Sequence, residues 1–334
     1  MKISIINDSQ LEIDTLLKSL SGYNEFELCW IANNAASAIK KFKDEIPDLI
    51  LVKLNLQFMD GSMITKSLIE INPVAILILS QSGGGNQSKI FEAMGNGALD
   101  VVAPPYWSGN EIIGSEELIK KIEIFKKLIN YHKVSKSNIQ LTHRSTGTST
   151  KIVAIGSSTG GPKALSTIFS SIPKDTQAAF IVIQHVDAQF ANGLADWLRN
   201  YCHLPIHLAE SGIAPENGNI YIANTNDHLY LNEKNRFEYS EKPIDVHFRP
   251  SVDVFFGSLS KNWKSSDIAV LLTGMGYDGA KGLLELKQKG WFTIAQDEAT
   301  SVVYGMPKAA KELNAACEIL PVDKIAKMIL NKLK

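Results

Sequence analysis

The stretch "KIVAIGSSTGGPKAL", Lys151 to Leu165, sets an apolar, β-branched run directly against two serines and a pair of glycines. It reads as a buried strand, a sharp turn and the start of a helix, the opening unit of an α/β domain. A turn of this kind has two chemical uses. It can cradle a phosphate on the N–H groups of the helix it opens, or it can present a serine to a carbonyl. The residues of the stretch leave both open.

The same alternation continues outward. Downstream, "AAFIVIQ", "IAVLLTG" and "WFTIAQ" read as strands, and "ANGLADWLRNY" and "GAKGLLELKQKG" as helices. A middle section, "GNIYIANTNDHLYLNEKNRFEYS", alternates apolar and polar residues around Asn-Asp and Lys-Asn turns, which predicts antiparallel hairpins inserted in this half. Upstream, "KISII", "FELCWIA", "DLILV", "VAILIL" and "LDVV" alternate with helical segments such as "NNAASAIKKFKDE" and "GSMITKSLIEI", predicting five parallel strands. Between the halves, "HKVSKSNIQLTHRSTGTSTK" is polar and almost free of large apolar residues, so it reads as a linker. The fold class expected is α/β with two doubly wound parallel-sheet domains. The first, 1–132, is flavodoxin-like; residues 133–150 link it to the second, 151–334, which is Rossmann-like with an inserted hairpin. A chain of 334 residues exceeds what one core usually serves, in keeping with two domains.

In open parallel sheets the chemistry gathers at the carboxyl ends of the strands. Here those ends carry Gly156-Ser157-Ser158-Thr159-Gly160-Gly161, then His185, then Gly274-Met275-Gly276-Tyr277-Asp278-Gly279. A serine, a histidine and an aspartate on three separate strand ends match the needs of a Ser-His-Asp relay. Gly156-x-Ser158-x-Gly160 puts Ser158 at the centre of a G-x-S-x-G pattern, its flanking glycines expected to leave room for substrate, with Ser157 as support. Backbone N–H groups near Thr159 and Gly160 would supply part of an oxyanion hole, and the Met275 loop the rest. His185 would act as base and Asp278 would orient it. Of the other histidines, His132 and His143 flank or sit in the linker, and His203, His207 and His228 fall near turns or hairpins. Only His247, in "DVHFRPSVD", rivals His185. The phosphate reading lacks both the Walker Gly-Lys-Ser/Thr and the G-x-G-x-x-G spacing. A nucleotide-binding α/β protein and a non-enzymatic signalling scaffold remain the rivals.

Composition sets the broad limits. With 34 basic against 35 acidic residues, 45% hydrophobic and 21% charged, the charge balance gives no reason to expect nucleic acid or direct membrane insertion. The longest apolar runs fall far short of a bilayer span, and "MKISIIND" turns acidic too soon for a signal peptide, so a cytoplasmic protein is expected. Cys29, Cys202 and Cys317 lack disulfide or zinc spacing and read as free core thiols. No cofactor and no metal is expected.

Taken together, "IGSSTGGPKAL", "IQHV", "IYIAN", "RPSVDVFF", "LLTGMGYDGAKGL" and "AQDEATSVVYGMPKAA", in this order behind a five-strand domain, resemble the chemotaxis protein-glutamate methylesterases, the CheB family. The resemblance implies Ser158, His185 and Asp278 as triad and the Met275 backbone as oxyanion donor. It implies hydrolysis of glutamate methyl esters on the cytoplasmic domains of methyl-accepting chemoreceptors, with deamidation of glutamines as a second activity. The first half is similar to a response-regulator receiver, which holds Mg²⁺ with acids after its first strand and phosphorylates an aspartate after its third. Here Asn7-Asp8 stand at the acidic pair and Ser80 at the Ser/Thr position. Lys53, however, stands at the phosphoacceptor position and Pro104 where the family has a lysine; Asp60 matches a loop acid. A receiver that has lost its phosphorylation chemistry is expected, with a histidine kinase or other signalling protein as the implied partner. The family's receiver covers the esterase site until phosphorylated, so the expectation for this chain is a fixed restraint.

Overall fold

The computed structural model describes residues 1–57, 59–81, 87–129, 150–246 and 248–334, and the chain packs as two compact units divided at residue 135. The expected linker up to residue 149, with His143 in it and His132 just before it, lies outside the described residues, as does the rival base His247.

The first unit alternates β1 (Lys2–Ile6), α1 (Gln10–Leu20), β2 (Glu27–Ala32), α2 (Ala35–Asp44), β3 (Leu49–Lys53), α3 (Gly61–Ile71), β4 (Ala75–Leu79), α4 (Gln87–Gly95) and β5 (Asp100–Val102). A small antiparallel pair, β6 (Tyr106–Ser108) and β7 (Glu111–Ile113), precedes α5 (Ser115–Ile129). The five main strands run parallel in the order β2-β1-β3-β4-β5. Strands β3 and β4 are nearly uninterrupted apolar runs because a parallel sheet buries both faces. Ser9, Asn34 and Asp60 cap α1, α2 and α3, each side chain accepting a first-turn N–H that has no partner inside the helix.

The second unit contains β8 (Ile152–Ser157), α6 (Gly161–Phe169), β9 (Ala179–Gln184), α7 (Ala188–Arg199), β10 (Ile206–Leu208), β11 (Ile220–Ile222), β12 (His228–Leu231) and β13 (Phe237–Ser240). It continues with α8 (Val252–Asn262), β14 (Ile268–Leu271), α9 (Ala280–Gln288), β15 (Phe292–Gln296), α10 (Met306–Glu312), β16 (Glu318–Leu320) and α11 (Val322–Leu333). Seven strands form one parallel sheet in the order β10-β11-β9-β8-β14-β15-β16. From β8 the chain first builds outward through β9 and later returns to build the other side through β14. That reversal opens a crevice at the carboxyl end of β8, where the Gly-Ser turn sits. Helices cover both faces: α6 touches α7 and α11, while α9 touches α8 and α10.

Two sequence expectations need correction. Only β12 and β13 form the inserted hairpin; "IYI" of the middle section is instead β11, a buried parallel strand between β9 and β10. All three of its side chains are buried, and three residues carry too little periodicity to separate the two cases. The cysteines are half-buried free thiols, not core residues.

Candidate active site

Hydrogen bonds that continue the parallel ladder past the strand ends bring three turns together. The His185 N–H donates to the Ser157 carbonyl at 3.0 Å, tying the end of β9 to that of β8. The Ser158 N–H donates to the Thr273 carbonyl at 3.0 Å, tying β8 to β14. Ser158 is 8% exposed, and its hydroxyl bonds to no group among the described residues. Ser157 faces the interior, fully buried, and donates its hydroxyl to Gln184 Oε1 at 2.6 Å. The Gln184 amide then donates to the carbonyls of both Ser158 (2.9 Å) and His185 (3.2 Å). One buried glutamine therefore clamps the backbones of the candidate nucleophile and base, a role sequence reading missed.

The motif glycines serve packing, not substrate room. A Cβ on Gly156 would lie 2.3 Å from Val252 Cγ1, and one on Gly160 2.5 Å from Val302 Cβ. Gly160 also has φ 77°, a left-handed conformation that glycine adopts without strain. Ser158 itself is not among the residues of positive φ, so the turn takes its sharpness at Gly160 and not at the serine.

Asp278 follows β14 and is almost fully buried. Its carboxylate accepts four hydrogen bonds. Ser251 Oγ (2.8 Å) and the Asp253 N–H (3.0 Å) reach Oδ1; the Val252 N–H (2.7 Å) and His185 Nε2 (2.8 Å) reach Oδ2. Three of these donors form the N-terminus of α8, which favours an anion. Burial pushes the Asp278 carboxyl up, but the His185 hydrogen bond and charge and the α8 N–H groups outweigh it and hold the pKa below the ordinary aspartate value. An ionised carboxylate only accepts, so His185 Nε2 carries the proton, and Nδ1 is left as the lone-pair nitrogen. That Nδ1 is buried without a partner among the described residues. The imidazole also stacks on Phe248, centroids 4.6 Å apart and planes 3° apart, a contact that favours a positive charge on the ring. Phe248 and Ser251 lie in the "HFRPSVD" stretch from which sequence reading singled out only His247.

The N–H groups of Thr159, Gly160 and Met275 donate to no backbone carbonyl among the described residues, whereas those of Ser158 and Gly161 are taken by Thr273 and Ser158 carbonyls. Two of the turn's N–H groups are therefore lost to a phosphate cradle, and Pro162 at the start of α6 has none to offer. A carbonyl oxygen needs fewer donors, and those near Ser158 remain available.

In the first unit, Lys53 ends β3 and pairs with Asp8 and with Glu12, each at 3.1 Å. Asn7 donates its amide to Glu12 at 2.9 Å, and Asp8 also accepts the Gln57 N–H at 2.7 Å. Asp60 caps α3 and pairs with Lys89 at 2.7 Å. Ser80 donates weakly to the Gln81 carbonyl at 3.3 Å, and Pro104 is half-buried beyond β5. Glu12, on α1, was not legible as a member of this cluster.

The Lys53 ammonium thus occupies the space between the acids, where a divalent cation would meet like charge. Burial pushes Asp8 up, but Lys53 and the Gln57 N–H outweigh it and leave its pKa lowered. Burial lowers Lys53, but Asp8 and Glu12 outweigh that and raise it. The Asp8 contribution to stability is present above its unfolded pKa of about 4 and is lost as pH falls through the lower folded value. The Lys53 contribution is present below about 10.4 and is lost as pH rises through its higher folded value. Lys53→Ala is therefore expected to lower stability by about 1–2 kcal/mol at pH 7, since two carboxylates lose their shared cation. Urea unfolding at pH 7 and in acid checks it, the difference between the proteins shrinking as Asp8 becomes protonated.

Comparison with known proteins gives one consistent result. Residues 153–329 match the family model described as CheB methylesterase. Over 327 residues, 98% of this chain and 96% of the relative, the chain is 42% identical to protein-glutamate methylesterase/protein-glutamine glutaminase 2 of Cupriavidus metallidurans. It is 40% identical over 331 residues to protein-glutamate methylesterase/protein-glutamine glutaminase 1 of Pseudomonas fluorescens, covering 99% of this chain and 98% of that one. The crystal structure of the Thermotoga maritima CheB methylesterase catalytic domain superposes with a TM-score of 0.53 at 39% identity, over 55% of this chain and 98% of that one.

Proposed function

The chain belongs to the CheB methylesterase family and is a protein-glutamate methylesterase/protein-glutamine glutaminase of chemotaxis, and on that premise we propose that Ser158, His185 and Asp278 perform the reaction on the cytoplasmic domains of chemoreceptors. The observation that carries the assignment is the buried Nδ1, without a partner among the described residues, of a histidine whose Nε2 is held by Asp278. Leaving such an atom unpaired costs about 1–3 kcal/mol, a cost that makes sense for a nitrogen whose task is to take a proton.

In this reading the Ser158 oxygen attacks the glutamyl ester carbonyl as its proton passes to His185 Nδ1. The carbonyl oxygen, now an oxyanion, is met by the N–H groups of Met275 and of Thr159 or Gly160. Asp278 and the Phe248 face stabilise the imidazolium. The carbon–oxygen bond to the methoxy group then breaks, and methanol leaves with the proton from Nδ1, giving the acyl-enzyme. Water attacks next, its proton going to Nδ1; the Ser158 bond breaks, Ser158 takes the proton back, and the receptor leaves with an unmethylated glutamate side chain. A glutamine substrate follows the same steps with ammonia as leaving group. The test is methanol release from a methylated receptor signalling domain together with labelling by a serine-directed phosphonate: label on Ser158 supports the assignment, and label elsewhere with activity abolished overturns it.

The receiver-like unit, in this proposal, takes no phosphoryl group. An ammonium is no nucleophile at neutral pH, and Lys53 fills the cation's place. Acetyl phosphate with Mg²⁺ is expected to add no phosphate mass and to leave methanol release unchanged; a stable phosphoprotein by mass spectrometry would contradict it.

A further inference from the structure

The inserted hairpin carries a residue that the sequence reading set aside, His228, the first residue of β12. It is fully buried. Its Nδ1 accepts the Ser251 N–H at 3.1 Å, so that nitrogen carries no proton, and its Nε2 lies 3.2 Å from the Pro243 carbonyl, to which it donates. The ring is neutral with both nitrogens satisfied, and burial lowers its pKa further. A second proton would set N–H against N–H at Ser251.

Ser251 is no ordinary neighbour. It is the N-cap of α8, also fully buried; its hydroxyl accepts the Val254 N–H at 3.3 Å while donating to Asp278 at 2.8 Å. The next two N–H groups, of Val252 and Asp253, are the other α8 donors to Asp278. Three of the four hydrogen bonds on the aspartate thus come from the residue His228 holds and from the turn that follows it. The hairpin has other ties to α8, such as the Leu231 N–H to Ser258 Oγ at 3.0 Å, so docking it does not by itself require an imidazole.

Resting on the triad reading above, we propose that His228 is a positioning residue for catalysis: through its Nδ1 it fixes Ser251, and through Ser251 it sets the donors that aim Asp278 at His185.

The test measures kcat and KM for methanol release from a methylated receptor signalling domain by the full chain. His228→Leu is expected to lower kcat on the order of 10–100-fold, the scale of a small misplacement at a catalytic centre, with KM moving by less than about twofold. His228→Asn, whose carbonyl oxygen can stand near the Nδ1 position, is expected to recover most of the loss. Combined with Asp278→Asn, His228→Leu should cost almost nothing more, because the group it positions is already gone. An unchanged kcat in His228→Leu, or the same loss repeated in the Asp278→Asn background, overturns the proposal. If His228→Leu does not fold, His228→Gln decides the matter, since its amide nitrogen can still donate to the Pro243 carbonyl while nothing accepts the Ser251 N–H. Its kcat should fall and the fall should vanish in the Asp278→Asn background; a normal kcat overturns the proposal. Ser158→Ala is run alongside, and activity surviving there would sink the triad reading itself, an outcome distinct from failure of the His228 inference.

Discussion

Ser158→Ala is expected to lose esterase turnover by a factor on the order of a million, leaving only what binding and oxyanion donors supply. Ser157→Ala, one residue away, should stay within about tenfold of the parent. The contrast follows from the positions of the two hydroxyls. Ser157 is fully buried against Gln184, whereas the Ser158 hydroxyl, 8% exposed, bonds to no group among the described residues. Removing the Ser157 hydroxyl deprives Gln184 Oε1 of its donor, at a stability cost of about 1–2 kcal/mol. The glutamine still holds the Ser158 and His185 carbonyls through its nitrogen. Methanol release and thermal unfolding on the two variants check this, and an active Ser158→Ala enzyme would remove Ser158 as nucleophile.

His185→Ala is expected to cost about as much as losing the serine, and Asp278→Asn less, on the order of ten-thousandfold in kcat. The structure adds a reason beyond the tautomer. Asp278 accepts four hydrogen bonds, two on each oxygen, so an amide nitrogen at either position faces donors with donors. Placed at Oδ2 it opposes the Val252 N–H and turns His185 Nε2 into an acceptor, moving the imidazole proton onto Nδ1, where the serine proton has to go. Asp278→Asn should therefore also be less stable, by about 1–3 kcal/mol. The depressed Asp278 pKa fixes its pH behaviour: its contribution is present above the ordinary aspartate value of about 4 and is lost only as pH falls through the lower folded value. An acid limb of kcat/KM near neutrality then belongs to another group. Comparable kcat for Asp278→Asn and the parent would show that Asp278 does not orient the base.

The candidate site was legible as far as strand order carries it. "KIVAIG", "FIVIQ" and "IAVLLT" are apolar runs too regular to misread, and the rule that chemistry gathers at the carboxyl ends of parallel strands turned them into Ser158, His185 and Asp278. Lys53 and Asp8 came instead from the resemblance to a receiver, and the structure pairs them at the end of β3; strand order alone did not single them out. Sequence reading failed where elements were short or carried no period, as at β11. It failed also where a residue's role depends on the direction of its hydrogen bond: Gln184 read as the last residue of a strand, His228 as a hairpin residue, and Glu12 as one more charge on α1.

What the sequence determined by itself was therefore the alternation of elements, the two α/β sheets and the identities of the residues at the strand ends, because burial on both faces writes itself into local composition. The tertiary structure alone decided that Nε2 of His185 faces Asp278 and Nδ1 meets no partner among the described residues, that the motif glycines admit Val252 and Val302, and that the N-terminus of α8 holds the aspartate. These partners come from elements many residues apart, and a hydrogen bond specifies a direction in space that no spacing along the chain encodes.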